Sequence, residues 1–367
     1  MPRKKSNSVD ISRIDRNFAV PGVGEYDLVF TDARNSKVIA LEGLKWMPEK
    51  GDYCRIPPTF TAENTSAGVM TLGKHTSGGA LRFRSNSPVI VLRGKLGPGC
   101  DMSHMPRAGS CGFDSYCSVE GGPLRYQKTF QPVRDQVDYK CVIGLNPEKK
   151  MCSWIVDLPL YGGVSSLEVG VETGSKLLAP LPHKVKKPIL FYGSSITQGG
   201  CASRPGNMYS SHLCRKVDAE QINLGFSGSG RGETAVAEAI ASLDLAAFVY
   251  DYDYNAPTAE HLKATHEPFF QIVRKAHPNL PVIMMSRCPA DKSDVRSRII
   301  RKTFLNAVAK GDKNVYFIEG KTLFGTYAED RDACTVDGCH PNDLGFYRMY
   351  RTVLPVLCKA LKNSGKK

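Results

Sequence analysis

Long apolar runs are missing from this chain. No uninterrupted hydrophobic stretch approaches the roughly 18 residues that a membrane-spanning helix requires, so we expect no membrane partner. The start is basic but lacks the apolar segment of a secretory leader. That pattern predicts a cytoplasmic protein, or a secreted one if a leader has been removed.

Paired cysteines are also missing. The chain has twelve cysteines, but none form a Cys-x-x-Cys pair, which argues against a zinc knuckle. A disulfide framework is the alternative, yet it is atypical of a chain of 367 residues without a leader, and we expect buried free thiols. No group of histidines and carboxylates has the spacing of a metal site, so the sequence predicts neither a metal nor another cofactor.

A nucleic-acid module is the third absence. The formal net charge is +13, but seven basic residues lie within residues 1–5 and 359–367, where no acid offsets them. More than half of the imbalance is thus terminal, and no basic face with interleaved aromatics stands out. We therefore expect no nucleic-acid partner. The seven residues are Arg3, Lys4, Lys5, Lys359, Lys362, Lys366 and Lys367.

The first half of the chain has the pattern of a β-domain. Between residues 17 and 182, short apolar runs alternate with Gly, Pro, Asn and Ser, which predicts a β-sandwich or jelly roll. One of the predicted strands covers residues 68–72, and helical periodicity is nearly absent. A proline-rich junction at residues 178–183 ends this part. We divide the chain into an N-terminal domain, residues 1–182, and a second domain, residues 183–367.

The second half alternates strands and helices. This alternation predicts a three-layer α/β domain with a parallel sheet, in which functional groups gather at the carboxyl ends of the strands. The predicted strands are 188–192, 221–226, 247–252, 281–286 and 314–319, and the predicted helices are 206–218, 233–242, 258–277, 292–310 and 343–361.

A strand that ends in two serines opens this second domain. Residues 191–199 read Phe-Tyr-Gly-Ser-Ser-Ile-Thr-Gln-Gly, so an apolar strand breaks at a glycine and delivers hydroxyl groups. Alone, such a turn could equally bind phosphate or only reverse the chain. Near the far end, residues 337–341 read Asp-Gly-Cys-His-Pro and place a carboxylate three residues before a histidine. Serine, aspartate and histidine in this order favour a catalytic triad.

Four blocks together resemble the SGNH (GDSL-like) hydrolase superfamily. They are Gly-Ser-Ser-Ile-Thr at 193–197, Asn-Leu-Gly-Phe-Ser-Gly at 223–228, Asp-Tyr-Asn at 253–255 and the Asp-x-x-His-Pro block at 337–341. Upstream, Gly-Phe-Asp-Ser-Tyr at 112–116 resembles the Gly-x-Asp-Leu-Tyr mark of a β-domain that precedes one branch of these hydrolases. Ser115 replaces the leucine of that mark, and Ser194 replaces the aspartate of the first block.

The resemblance implies the role of each site residue. Ser195 is the nucleophile, His340 the base and later the acid, and Asp337 the group that orients the imidazole. The oxyanion hole comprises the N–H groups of Ser195 and Gly228 and the side-chain amide of Asn255. Since the family's aspartate at the first block is outside the triad, Ser194 should not abolish activity.

Several of these residues have a plainer interpretation. Ser194 is the alternative nucleophile, and Asn255 could serve only an Asx turn. Cys339 is expected to be a packed small residue rather than a nucleophile. Arg204 follows the serine turn, and we predict that it binds a substrate oxygen; a solvated surface arginine is the equal alternative.

The combined pattern predicts a serine esterase that hydrolyses carboxylic esters through an acyl-enzyme. Short loops without a long apolar lid favour a small acyl group, and related two-domain esterases suggest acetyl on a carbohydrate. The alternatives are a lipid or thioester acylhydrolase with the same triad and a non-catalytic carbohydrate-binding protein. The expected partner is a small-molecule or carbohydrate ester, and the sequence leaves the oligomeric state open.

Overall fold

The structure is a computed structural model that describes residues 11–16, 23–24, 26–47, 53–119, 121–289, 294–325 and 331–364. It comprises a β-sandwich followed by a layered α/β domain, as the sequence predicts. The predicted boundary between residues 182 and 183 lies between the last strand of the sandwich and the first strand of the parallel sheet.

Two antiparallel sheets form the sandwich. Strands β1, β9, β4 and β7 make one sheet, and β10, β3, β8, β5 and β6 make the other, with β2 paired to β3. Inward positions alternate along the strands, so that Leu81 and Phe83 of β3 meet Trp154 in a shared core. The strands are β1 Leu28–Asp32, β2 Ala40–Glu42, β3 Ala80–Ser85, β4 Val89–Gly99, β5 Phe113–Val119, β6 Arg125–Phe130, β7 Asp138–Leu145, β8 Cys152–Asp157, β9 Gly162–Glu172 and β10 Leu177–Leu178.

The predicted strand at residues 68–72 is wrong, because this segment is the helix α1, Ala67–Leu72. The Ser66 side chain caps it by accepting a hydrogen bond from the Val69 N–H at 3.1 Å. Val69 and Leu72, three residues apart, are buried on one face. A short apolar run cannot be assigned by periodicity alone, and the N-cap serine was the signal that separates the two cases. A second short helix, α2 Arg107–Ser110, also lies in this domain.

The second domain contains a parallel five-stranded sheet in the order β12-β11-β13-β14-β15. All five predicted strands and all five predicted helices are present, with bounds shifted by a few residues. The strands are β11 Val185–Gly193, β12 Ala219–Gly225, β13 Ala247–Asp251, β14 Val282–Met285 and β15 Val315–Ile318. The helices are α3 Ser195–Gln198, α4 Tyr209–Val217, α5 Thr234–Ala241, α6 Ala259–Ala276, α7 Val295–Ala309 and α8 Asp343–Ser364.

Helices cover both faces of this sheet. Helices α5, α6 and α7 pack on one face, and α4 and α8 pack on the other. In α8, the buried residues Phe346, Met349, Val353 and Leu357 recur every three or four positions, which is the stripe that a helix needs to cover a sheet. Burying each such side chain contributes about 1.5–3 kcal/mol.

A buried arginine joins the two domains. The guanidinium of Arg55 donates to the carbonyls of Leu72 and His75 in the β-domain and of Asn223 and Gly225 in the parallel sheet, at 2.7–3.1 Å. Burial lowers the pKa of Arg55 to about 10. The side chain nevertheless stays charged at neutral pH. All of these hydrogen bonds go to backbone carbonyl oxygens. The carboxyl end of β12 is therefore fixed against the β-domain.

Candidate active site

The serine turn lies where β11 ends and α3 begins. Ser194 is the N-cap of α3: its hydroxyl accepts a hydrogen bond from the Ile196 N–H at 3.2 Å. Gly199 ends the helix at φ 101°, a left-handed conformation that favours glycine. Because Ser194 is buried in the cap, Ser195 at the first helical position is the serine whose hydroxyl faces the site.

The turn is tied from several directions. The Thr197 hydroxyl donates to Asp251 at 2.9 Å, and the Asn223 amide donates to the Thr197 carbonyl at 2.7 Å. From the β-domain, the Ser77 hydroxyl donates to the Gln198 carbonyl at 2.7 Å. These bonds fix the backbone under Ser195 without using its hydroxyl.

His340 lies against that hydroxyl. The Ser195 Oγ is 2.9 Å from His340 Nε2, and His340 Nδ1 is 2.7 Å from Asp337 Oδ2. The structure thus brings together the three residues that the sequence proposed as a triad, although their catalytic roles stay a prediction.

Hydrogen bonds keep Asp337 ionised. Burial alone would raise its pKa, but the His340 N–H, the His340 ring and the Cys339 N–H all donate to the carboxylate and lower the pKa to about 2. An ionised carboxylate can only accept, so His340 Nδ1 carries the proton. In the neutral ring Nε2 then accepts the Ser195 O–H, which is the arrangement a general base requires.

Two of the three donors that the sequence predicts for an oxyanion hole are backbone N–H groups that are unpaired among the described residues, and the oxyanion hole itself stays a prediction. The N–H groups of Ser195 and Gly228 donate to no acceptor within the part of the chain that the structure describes. Gly228 has φ 64° and is exposed, so its backbone is open to an approaching group. The Asn255 amide donates to the Phe226 carbonyl at 2.7 Å, which leaves its second N–H free to donate. Such unpaired donors suit a developing oxyanion.

Arg204 is engaged by the β-domain. Its Nη1 donates to Asp114 at 3.1 Å and to the Tyr116 hydroxyl at 2.9 Å, and its guanidinium lies 4.1 Å from the centroid of the Tyr126 ring. Asp114 also accepts the Gly206 N–H at 2.9 Å. The Gly-x-Asp-x-Tyr segment is thus an anchor for the loop after the serine turn, and the role of Arg204 in substrate binding stays a prediction.

Sequence reasoning missed the residues that support the loop between β12 and α5, residues 226–233, which carries Gly228 (the oxyanion loop). Gln198 Oε1 accepts the Ser227 N–H at 3.0 Å, one residue before Gly228, and its Nε2 donates to the Leu160 carbonyl at 3.1 Å. A Cβ at Gly68 of helix α1 would collide with the Ser229 hydroxyl, so the β-domain packs directly on this loop. Gln198 directly follows the Gly-Ser-Ser-Ile-Thr block at residues 193–197, and the sequence pattern gave it no role.

The β-domain also contributes a histidine to the site. The exposed His104 ring meets the His340 ring edge to face, with centroids 5.8 Å apart. The three residues that could hold a metal here are His104, Cys201 and His340, which offer ligand atoms within 4.8 Å of one another. No cysteine that the structure describes is in a disulfide, and Cys339 is half-buried beside the histidine. Among the described helices, none combines the length and apolar character that a bilayer span demands.

Two family models match the chain. The model of the GDSL-like lipase/acylhydrolase family matches residues 186–358, and a model described as "N-terminus of Esterase_SGNH_hydro-type" matches residues 28–177. No curated protein matches the chain.

Solved structures share the two-domain arrangement. A crystal structure described as that of a GDSL-like lipase from Bacteroides ovatus is 30% identical, with a TM-score of 0.78 over 92% of this chain and 98% of its own. The salicylyl-acyltransferase SsfX3 of a tetracycline biosynthetic pathway is 18% identical, with a TM-score of 0.73 over 91% and 99%. The acetyl xylan esterase Est2A from Butyrivibrio proteoclasticus is 12% identical, with a TM-score of 0.60 over 92% and 99%.

The last two similarities show the fold alone, whereas the first extends over nearly the whole of both chains at a higher identity. Together with the two family models, it identifies the chain as an SGNH-type carboxylic ester hydrolase of the GDSL-like lipase/acylhydrolase family, in the branch with an N-terminal Gly-x-Asp-Leu-Tyr β-domain.

Proposed function

We propose that this protein is a short-chain esterase that removes acetyl groups from carbohydrate esters, with Ser195, His340 and Asp337 as its triad. The observation that carries the proposal is the continuous hydrogen-bonded line from the Ser195 hydroxyl through His340 to Asp337. The N–H groups of Ser195 and Gly228 donate to no acceptor among the described residues, which leaves both available to an oxyanion.

In the first half of the reaction, Ser195 Oγ attacks the ester carbonyl while His340 Nε2 takes its proton. The carbonyl oxygen becomes an oxyanion, which the Ser195 and Gly228 N–H groups and the Asn255 amide stabilise. His340 then protonates the departing alcohol, and the acyl group stays on Ser195. Asp337 holds the protonated imidazole through Nδ1.

In the second half, water replaces the alcohol. His340 takes a proton from the water, which attacks the acyl-enzyme, and the same donors hold the second oxyanion. His340 returns the proton to Ser195 Oγ as the carboxylic acid leaves. No metal or redox group enters these steps.

The surroundings of the nucleophile favour a polar alcohol. His104 is an exposed polar side chain against the His340 ring, the Asn255 amide donates to the Phe226 carbonyl, and the β-domain packs on the loop that carries Gly228. The acetyl xylan esterase shares this two-domain fold, which supports a sugar acetate as the substrate class.

The test is hydrolysis of p-nitrophenyl acetate, butyrate and octanoate, followed by acetylated oligosaccharides. We expect turnover that falls steeply with acyl length. Ser195→Ala should lower kcat by roughly 10⁴-fold or more, because the nucleophile is lost. Faster octanoate hydrolysis would favour the lipid acylhydrolase, and carbohydrate binding with no turnover would favour the non-catalytic alternative.

Ser194→Ala is the matched control for Ser195→Ala. It removes a hydroxyl one residue away and a cap worth roughly 0.5–2 kcal/mol, but it leaves the bond between Ser195 and His340. We expect lower thermal stability with kcat within a few-fold of the wild type. Equal loss of kcat in both variants would contradict the assignment of Ser195 as the nucleophile.

A further inference from the structure

Three segments that are distant in sequence bring metal-ligating side chains to one point beside the nucleophile. His104 belongs to the β-domain loop before α2, Cys201 to the loop after α3, and His340 to the C-terminal loop. Their ligand atoms all lie within 4.8 Å of one another. Two imidazoles and a thiol are the ligand types that zinc prefers, and no acidic surface patch is involved.

The backbone fixes two of these residues relative to each other, and the third is accessible. The Cys201 N–H donates to the Pro341 carbonyl at 3.3 Å, which ties the cysteine loop to the residue that follows His340. Cys201 is buried, with 4% of its surface exposed, whereas His104 is exposed and can rotate. The cluster thus combines a buried thiol with an exposed imidazole.

We propose that His104, Cys201 and His340 bind a borderline-soft divalent cation such as Zn²⁺, and that the bound ion inhibits the enzyme. Tetrahedral zinc, with bonds of about 2.0–2.3 Å, holds its ligand atoms roughly 3.5 Å apart. The three side chains must therefore close by about 1 Å, which the exposed His104 can supply. Water completes the fourth position.

Binding of the ion releases a proton and replaces an existing hydrogen bond with metal–ligand bonds. The Cys201 thiol gives up its proton to solvent and forms an S–Zn bond, and each neutral imidazole gives a lone pair. His340 turns Nε2 toward Ser195 and Nδ1–H toward Asp337, so the ion either takes the Nε2 lone pair and displaces the Ser195 hydroxyl, or takes Nδ1 after its proton has moved to Nε2 and displaces Asp337. Losing the first removes the base from the nucleophile, and losing the second removes its orientation. The inhibitory half of this inference rests on the proposed function, whereas the binding half does not.

The nitrogen and sulfur ligands also predict which metal ions bind. Mg²⁺ and Ca²⁺ prefer oxygen ligands and should not compete for this site. Zn²⁺ and Co²⁺ accept the nitrogen and sulfur set and should bind reversibly, more weakly than in a closed structural site, because part of the binding free energy is spent on breaking a bond to His340.

The binding half is tested by titrating the full chain with Co²⁺, whose bond to a thiolate gives a charge-transfer absorption. We expect one saturable site per chain, displaced by Zn²⁺ and unaffected by Mg²⁺. Cys201→Ser should abolish the absorption, and His104→Ala should weaken binding about tenfold or more. Cys339→Ser is the matched control, because this half-buried thiol adjoins His340 but is outside the cluster. Absorption that survives Cys201→Ser, or that Cys339→Ser removes, would overturn the assignment.

The inhibitory half is tested by Zn²⁺ titration of ester hydrolysis, with inhibition expressed relative to the metal-free rate of each variant. We expect a chelator to restore activity and the inhibition constant to rise about tenfold or more in His104→Ala. If Cys201→Ser does not fold, the exposed His104 variant still decides the matter. Equal inhibition of wild type and His104→Ala would overturn the proposal. A chain without esterase activity would refute the proposed function but leave the Co²⁺ result standing.

Discussion

The serine turn and the histidine loop meet at one hydrogen bond, yet they are built in opposite ways. The turn at residues 194–199 is largely buried and is held by groups from both domains, among them Ser77, Asn223 and Asp251. Each of these partners lies more than 20 residues away in the chain. Ser195 is therefore positioned by the tertiary structure as a whole.

The histidine loop at residues 335–341 is held mostly by its own atoms. Asp337 accepts the N–H groups of Cys339 and His340 at 3.0 and 2.7 Å, and the Val336 N–H donates to the His340 carbonyl at 3.0 Å. Gly338 permits the turn at φ 82°. The side chains of Asp337 and His340 are 36% and 25% exposed, so this loop lies at the surface and is held mainly by local hydrogen bonds.

This difference between the two loops predicts two different effects of mutation. A mutation in the histidine loop should damage the chemistry and leave folding intact, because few long-range contacts depend on it. A mutation that removes a hydrogen bond under the serine turn should affect both, because the same buried bonds hold the turn, the oxyanion loop and the domain interface.

The largest effect should come from Asp337→Asn. The amide can still accept the two backbone N–H groups, but its NH₂ end would face His340 Nδ1 and favour the wrong tautomer. We expect kcat to fall by roughly 10⁴-fold, in a chain that still folds but melts at a lower temperature at neutral pH, because the ionised carboxylate with its lowered pKa stabilises the folded state. Asp332→Asn, at an exposed carboxylate five residues earlier, is the control. A wild-type kcat in Asp337→Asn would mean that His340 is oriented by something else.

Asn255→Ala should have the next largest effect. The substitution removes the only side-chain donor proposed for the oxyanion and the bond to the Phe226 carbonyl. We expect kcat to fall by about 10²–10³-fold with little change in KM, since the lost interaction belongs to the transition state. A rise in KM at constant kcat would assign Asn255 to substrate binding instead.

Gln198→Leu should give a smaller kinetic effect together with a loss of stability. It leaves the Ser227 N–H and the Leu160 carbonyl without their partner, which costs about 1–3 kcal/mol for each group that is buried. The loop that carries Gly228 should loosen, and we expect kcat to fall roughly tenfold. Ser77→Ala is the control, because it removes a bond to the Gln198 backbone but none to Ser227. Equal kinetics in the two variants would separate Gln198 from the oxyanion loop.

The same contrast explains what the sequence could and could not predict. The α/β alternation and the Asp-x-x-His block are local patterns, so the five strands, the five helices and the spacing of Asp337 and His340 were readable. His104 and Gln198 escaped because their roles depend on which distant segments meet across the domain interface. The segment at residues 68–72 was misassigned for a related reason: five residues carry too little periodicity to distinguish a capped helical turn from a strand.

The smallest kinetic effect, and the sharpest contrast in pH dependence, should come from Asp251→Asn. Burial raises the pKa of Asp251 to about 7, although hydrogen bonds from the Thr197 and Tyr209 hydroxyls oppose the rise. In an unfolded chain an aspartate titrates near pH ~3.9, so the folded state holds this proton more tightly. Its contribution to stability is therefore complete below about pH 4 and is lost as pH rises through about 7, by at most about 1.4 kcal/mol per pH unit. Asp337 behaves oppositely, since its lowered pKa contributes stability that is lost only as pH falls toward about 2.

Asparagine keeps an oxygen that accepts from Thr197 and Tyr209 but cannot ionise. Asp251→Asn should thus gain stability relative to the wild type as pH increases from 4 to 8, with kcat unchanged within a few-fold, and melting curves across that range measure the difference. Asp244→Asn, which removes an exposed carboxylate paired with Lys187, should show no such trend. A constant difference between Asp251→Asn and wild type at every pH would mean that Asp251 does not titrate in this range. The carboxylate under the serine turn would then be ionised like the one in the histidine loop, and burial would not distinguish the two halves of the site.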